Sequence, residues 1–234
     1  MWAKRESGNF SICKTRFSDP SPGPSHGECF GESFFSMKLW VATRNAHKVR
    51  EISSILGPGV ELKSLLDLPD FPEVDEDGDT YKANAEKKAR TLWQKVRQPV
   101  FADDSALEVD FLGGRPGVHS MRYSAPNPTH AKNIEKLPAE LQGVLLKERS
   151  ARFRCTLVFL DATGNDTTFE GIVEGLIGVA AAGEAGSGFD PVFVLPERGL
   201  TMAQIPGCQK NAIGHRGLAV AALSRFLRLH PTLP

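Results

Sequence analysis

The apolar and polar positions alternate in blocks that read as strands and helices in turn. Lys38-Leu39-Trp40-Val41-Ala42-Thr43 is extended and apolar, and Val49, Ile52, Ile55 and Leu56 then recur at helical spacing until Gly57-Pro58-Gly59. Val60 to Leu65 reads as a second strand. Thr80 to Val96, rich in Ala, Lys and Glu, reads as a helix, and Pro99 to Ala102 as a short buried strand after it. In the second half, Ala151 to Leu160 and Thr167 to Ala180 flank the turn signal Asp161-Ala162-Thr163-Gly164-Asn165, which predicts an antiparallel hairpin. A last helix spans about His215 to Leu229, with Leu218, Ala222, Phe226 and Leu229 on one stripe. The expected class is α/β with a mixed sheet and flanking helices. No internal repeat is visible.

At the end of the short strand the apolar pattern breaks into Asp103-Asp104-Ser105 and runs on to Gly113-Gly114-Arg115-Pro116-Gly117. Ligand sites collect at strand ends in α/β proteins. Neighbours on an extended chain point to opposite sides, so one aspartate faces a given cleft and the other holds the loop. A hard cation such as Mg²⁺ takes one or two carboxylates, with water and phosphate oxygens completing its shell. An arbitrary Asp-Asp pair is more often a solvated turn or a helix cap, and the Gly-Gly-x-Pro-Gly that follows here weighs against that reading. The acidic run Glu73, Asp75, Glu76, Asp77 and Asp79 precedes the long helix; it suits the helix dipole and also offers the missing ligand.

Other segments suit a nucleotide. Thr43-Arg44-Asn45-Ala46-His47-Lys48 joins a strand to a helix, where free N–H groups and the Thr, Asn and Lys donors suit phosphates; an Asn cap with a surface Lys explains the pattern as well. Gly186-Ser187-Gly188-Phe189-Asp190-Pro191 contains an aromatic that reads as wall or core, and an Asp-Pro that reads as ligand or turn. Lys210 and Arg216 are pure donors and flank His215. Donors accept a 6-keto purine and leave a 6-amino group unmatched.

Composition narrows the partners. Lys plus Arg equals Asp plus Glu at 28 each, so no bulk field draws a nucleic acid, and no apolar run approaches the ~20 residues of a membrane helix. Cys13, Cys29, Cys155 and Cys208 are scattered, which suits reduced thiols in a cytoplasm. Residues 1–36 are crowded with Ser, Gly and Pro and read as a disordered leader or tag-like extension; a single domain over 37–234 starts at Met37.

Taken together, Ala42 to Lys48 with Glu51, Glu76 to Ala85, Ala102 to Tyr123, Gly188-Phe189-Asp190-Pro191 and Lys210 to Arg216 resemble the inosine/xanthosine triphosphate pyrophosphatase family. The resemblance spans about Lys38 to Leu229. It implies a two-lobed α/β fold with a substrate cleft between lobes, commonly homodimeric. It also implies Mg²⁺-dependent hydrolysis of ITP, dITP or XTP to monophosphate and pyrophosphate. By position, Thr43, Asn45 and Lys48 would hold phosphates, with Arg44, Ala46 and His47 in the same loop. Glu76 and Asp104 would bind metal, and Asp104 would also be the general base. Ser105 would contact substrate, Ser187, Gly188, Phe189 and Asp190 would lie beside the base, and Lys210, His215 and Arg216 would recognise it. Five positions depart from the family pattern: Arg44 for Gly, Ala83 for Glu, Ala106 for Gly, Ser187 for Phe and Gly214 for Ser. They keep open a non-catalytic nucleotide-binding or sensing protein. A pyrophosphatase for modified pyrimidines is a further alternative, against which Lys210 to Arg216 speaks.

Overall fold

The computed structural model describes residues 37–231; the expected leader lies outside the described residues. Strands β1 (Met37–Val41) and β2 (Val60–Ser64) run parallel and are joined by helix α1 (Ala46–Leu56). Helix α2 (Tyr81–Val96) leads into β3 (Val100–Val109), which is parallel to β1 and antiparallel to β4 (Ser150–Leu160). Then follow β5 (Asp166–Ile177), β6 (Phe193–Leu195) and β7 (Leu200–Thr201), giving a seven-stranded mixed sheet in the order β2-β1-β3-β4-β5-β6-β7.

Polar side chains set the helix starts. Asn45 caps α1, Thr80 caps α2 by accepting from the Ala83 amide at 3.1 Å, and Thr129 caps α3 (His130–Glu140) in the same way. The long helix and the hairpin expected from sequence are present; α3, β6, β7 and α4 (Gly207–Ile213) were not anticipated.

Strand β3 does not end at Ala102 as expected. It runs for ten residues, through both aspartates, because every residue from Val100 to Val109 has a register partner on β4. The returning strand β5 stops at Ile177 rather than Ala180.

Three apolar clusters organise the core. One packs Leu39, Phe101, Leu157 and Phe159 against α1 and helix α5 (His215–Leu229); a second packs Trp40, Ala102, Val158 and Leu160 against α2 on the opposite face. A third, Leu107, Val109, Phe153, Phe189 and Phe193 with α3, occupies the far end of β3 and β4. The middle of β3 is where the first two clusters give way to the third.

The buried face of α5 also differs from expectation. Leu218 and Leu229 are exposed, and Arg216, Ala219, Val220, Leu223 and Leu227 turn inward, while Phe226 packs from the margin. The helix is rotated by its first turn, where His215 and Arg216 are buried. Gly171 on β5 permits its close approach, since a Cβ there would meet the Ala219 amide at 2.8 Å.

Candidate active site

Because β3 is pleated, its two aspartates part company. Asp103 is 3% exposed, and its Oδ2 accepts from Lys48 Nζ at 2.9 Å, Arg216 Nε at 3.2 Å and Ser105 Oγ at 3.2 Å. Burial alone would raise its pKa; Lys48, Arg216 and Lys88 overcome burial and hold the carboxyl far below the usual carboxylate range. Arg216 also donates to Glu51 at 3.0 Å, so its guanidinium is engaged by two carboxylates.

Asp104 faces the α2 side and accepts from Asn84 Nδ2 at 3.0 Å. Burial raises its pKa, and Glu76 and Asp103 add to that rise against the opposing Lys88 and Asn84. Lys88, one turn beyond Asn84, donates to Glu76 at 2.5 Å and to the Asp103 carbonyl at 2.7 Å. Burial opposes its charge, yet Asp103 and Glu76 outweigh burial and raise the ammonium pKa. Two carboxylates and one ammonium therefore share this wall.

The β1–α1 connection is pinned by its own side chains. Asn45 Oδ1 accepts from the His47 and Lys48 amides at 2.9 and 3.2 Å, and Thr43 Oγ1 accepts from the Asn45 amide at 3.2 Å. Thr43, Asn45 and Lys48 line the pocket. Arg44, Ala46 and His47 do not: Arg44 donates to the Phe71 carbonyl, Ala46 is an exposed first residue of α1, and the His47 ring meets Arg50. Arg44 thus ties the loop to the segment before α2. Neither Arg44 nor Ala106 has positive φ, so both departures from Gly are accommodated without backbone strain.

At the other end, Asp190 Oδ2 accepts from Lys210 Nζ at 2.5 Å and from the Ser187 amide at 2.6 Å, which fastens the Gly186–Asp190 turn to α4. Phe189 belongs to the third core cluster, edge-on to Tyr123, and still reaches the pocket wall. His215 stacks on Phe153 with ring centroids 4.8 Å apart. Burial, then the nearby Arg216 and Lys210 charges, push its pKa well below the ordinary histidine value, which favours the uncharged ring, and its buried Nδ1 has no hydrogen-bond partner among the described residues.

These side chains border one cavity of about 330 Å³, which unites Thr43, Asn45 and Lys48 with Glu76, Asp104 and Ser105. Ser187, Gly188, Phe189 and Asp190 lie on it, as do Lys210, His215 and Arg216. Sequence reasoning missed Lys88, Phe153, Met121 and His130 on the same wall, and Asn84 behind Asp104. Asn84 and Lys88 had a readable signal: they are four apart on the helical stripe otherwise formed by Ala85, Ala89 and Leu92. Among the described residues no three His, Cys, Asp or Glu side chains converge as a protein-only metal cage.

No described helix is long and apolar enough to cross a membrane. The Ham1 family matches residues 39–226. The dITP/XTP pyrophosphatase of Geobacillus kaustophilus is 48% identical over 187 residues, 80% of this chain and 92% of that protein. The dITP/XTP pyrophosphatase of Geobacter sulfurreducens is 48% identical over 191 residues, covering 81% and 96%. Among solved structures, the Staphylococcus aureus Ham1 protein superposes with a TM-score of 0.74 at 34% identity, covering 82% of this chain and 99% of the other. With the mixed sheet, the motif positions and these relatives in agreement, the chain belongs to the Ham1 family.

Proposed function

We propose that this protein is a nucleoside triphosphate pyrophosphatase that converts dITP, XTP and ITP to monophosphate and pyrophosphate, clearing 6-keto purine nucleotides from the cytoplasmic pool. The carrying observation is the division of labour on β3, which leaves Asp104 as the pocket-facing carboxylate while Asp103 is consumed by Lys48 and Arg216. The names of the relatives support the same substrate class.

Glu76 and Asp104 suit a hard dication. Both line the pocket, and Glu76 already draws one cation, the Lys88 ammonium at 2.5 Å. Glu76 and Asp104 would hold Mg²⁺, which takes one or two carboxylates together with water and phosphate oxygens. Bound there, Mg²⁺ supplies charge neutralisation at the phosphate oxygens.

The chain's own residues do the rest. Lys48, at the rim beside Thr43 and Asn45, faces the triphosphate, and Lys88 supplies a second ammonium. Asp104 accepts a proton from a water as its oxygen bonds to phosphorus and the α–β anhydride bond breaks, releasing pyrophosphate. Asn84 fixes the orientation of that carboxylate. At the base end, Nδ1 of His215 is buried, which leaves Nε2 to meet a purine edge as donor or acceptor according to tautomer.

Product release from ITP, dITP, XTP, GTP and ATP, with and without Mg²⁺, tests the reading. Turnover of the 6-keto deaminated purines is expected to exceed that of ATP by a large factor and to require the cation. Equal turnover of ATP and ITP would sink the base selectivity, and tight ITP binding without turnover would mark a sensor instead.

A further inference from the structure

Glu76 and Asp104 are not equivalent in their surroundings. Asp104 is held by a neutral amide, Asn84, whereas Glu76 carries a full counter-charge, Lys88 Nζ at 2.5 Å. That ammonium is fixed from its other side by the Asp103 carbonyl at 2.7 Å, and Lys88 is only 13% exposed. A dication reaching Glu76 therefore meets a positive charge already seated on the carboxylate. A triphosphate in the same cavity offers Lys88 an alternative set of oxygens.

We propose that Lys88 competes with the divalent cation for Glu76 in the nucleotide-free protein and gives up that ion pair to a substrate phosphate, so that cation and triphosphate enter together. The inference rests on assigning Glu76 and Asp104 to the cation. It adds to that assignment an energetic coupling, which by linkage must act in both directions.

Mn²⁺ alone, titrated into the full-length protein without nucleotide and followed by the electron paramagnetic resonance signal of the free ion, tests the competition. Lys88→Met is expected to bind Mn²⁺ on the order of tenfold more tightly than wild type, within the usual span of coupling between sites. Lys88→Arg, which keeps the charge, should stay near wild type, and the gain should vanish when Glu76→Gln is present as well. Unchanged or weaker Mn²⁺ binding by Lys88→Met, or the same gain in the Glu76→Gln background, overturns the proposal. Lys88→Gln is a second neutral variant should Lys88→Met fail to fold, as judged by thermal melting. In EDTA, inorganic triphosphate should bind Glu76→Gln more tightly and Lys88→Met more weakly than wild type; equal binding by all three refutes the transfer to phosphate. If neither Glu76→Gln nor Asp104→Asn alters Mn²⁺ affinity, the cation assignment itself is wrong, a result distinct from failure of the competition.

Discussion

Asp103 and Asp104, adjacent on β3, direct their carboxylates to opposite sides of the sheet: Asp103 to Lys48 and Arg216, Asp104 to Asn84. The first is the anchor of a buried ionic network spanning α1, β3 and α5; the second lies on the cavity wall. Substituting them should separate stability from chemistry.

Asp104→Asn keeps the shape of the side chain and removes its basicity. Turnover of ITP is expected to fall about 10²–10⁴-fold, the usual worth of a general base, with little change in melting temperature. Steady-state kinetics beside thermal melting decide; retention of most activity would remove Asp104 from the base role.

Asp103→Asn should act on the fold instead. It leaves Lys48 and the buried Arg216 short of a counter-charge, a loss on the order of 3 kcal/mol for a broken buried pair. Urea unfolding measures it, and a loss within error of zero would contradict the anchoring role.

The same residue sets an acid dependence. Its folded pKa lies below its unfolded value near ~3.9, so its stabilisation is complete above that pH and is lost as pH falls toward the folded value. Wild-type stability should therefore drop more steeply below about pH 4 than that of Asp103→Asn. Asp104 has the opposite sign, because burial raises its folded pKa: folding favours its protonated form, and that contribution disappears as pH rises through the raised value. Unfolding free energies from pH 2 to 6 for both variants test the two slopes.

Ser187 stands exposed on the pocket wall, where an aromatic side chain could stack on a base. Ser187→Phe is expected to lower the KM for ITP by about tenfold, from stacking worth ~1–3 kcal/mol per base. A KM that stays put would show that the base does not reach this turn.

Gly186 has φ of 88°, and a Cβ there would stand 2.9 Å from Lys210 Nζ and from the Asp190 carboxyl carbon. Gly186→Ala should disturb the Lys210–Asp190 pair and raise the KM for ITP severalfold while leaving kcat nearly unchanged. An equal fall in kcat would place the turn closer to the reacting phosphates than the base.

The local signals in the chain determined a good deal. Helical spacing from Val49 to Leu56, the Ala-, Lys- and Glu-rich run from Thr80 to Val96 and the turn at Asp161 to Asn165 rest on neighbouring residues, so α1, α2 and the β4–β5 hairpin were legible. The motif residues named the family, and the alternation along a strand implied that the two aspartates would face apart. Tertiary structure decided what depends on partners distant in sequence. Pairing with β4 carried β3 through the aspartates, where the polar pattern suggested an end. Burial of Arg216 against Asp103 and Glu51 fixed the rotation of α5, overriding the stripe through Leu218 and Leu229. Lys88 reached Glu76 from twelve residues away, and Arg216 reached Asp103 across 113, separations that no periodicity encodes. A helical or strand period reports which face a side chain occupies; only the packed fold fixes which charge it meets there.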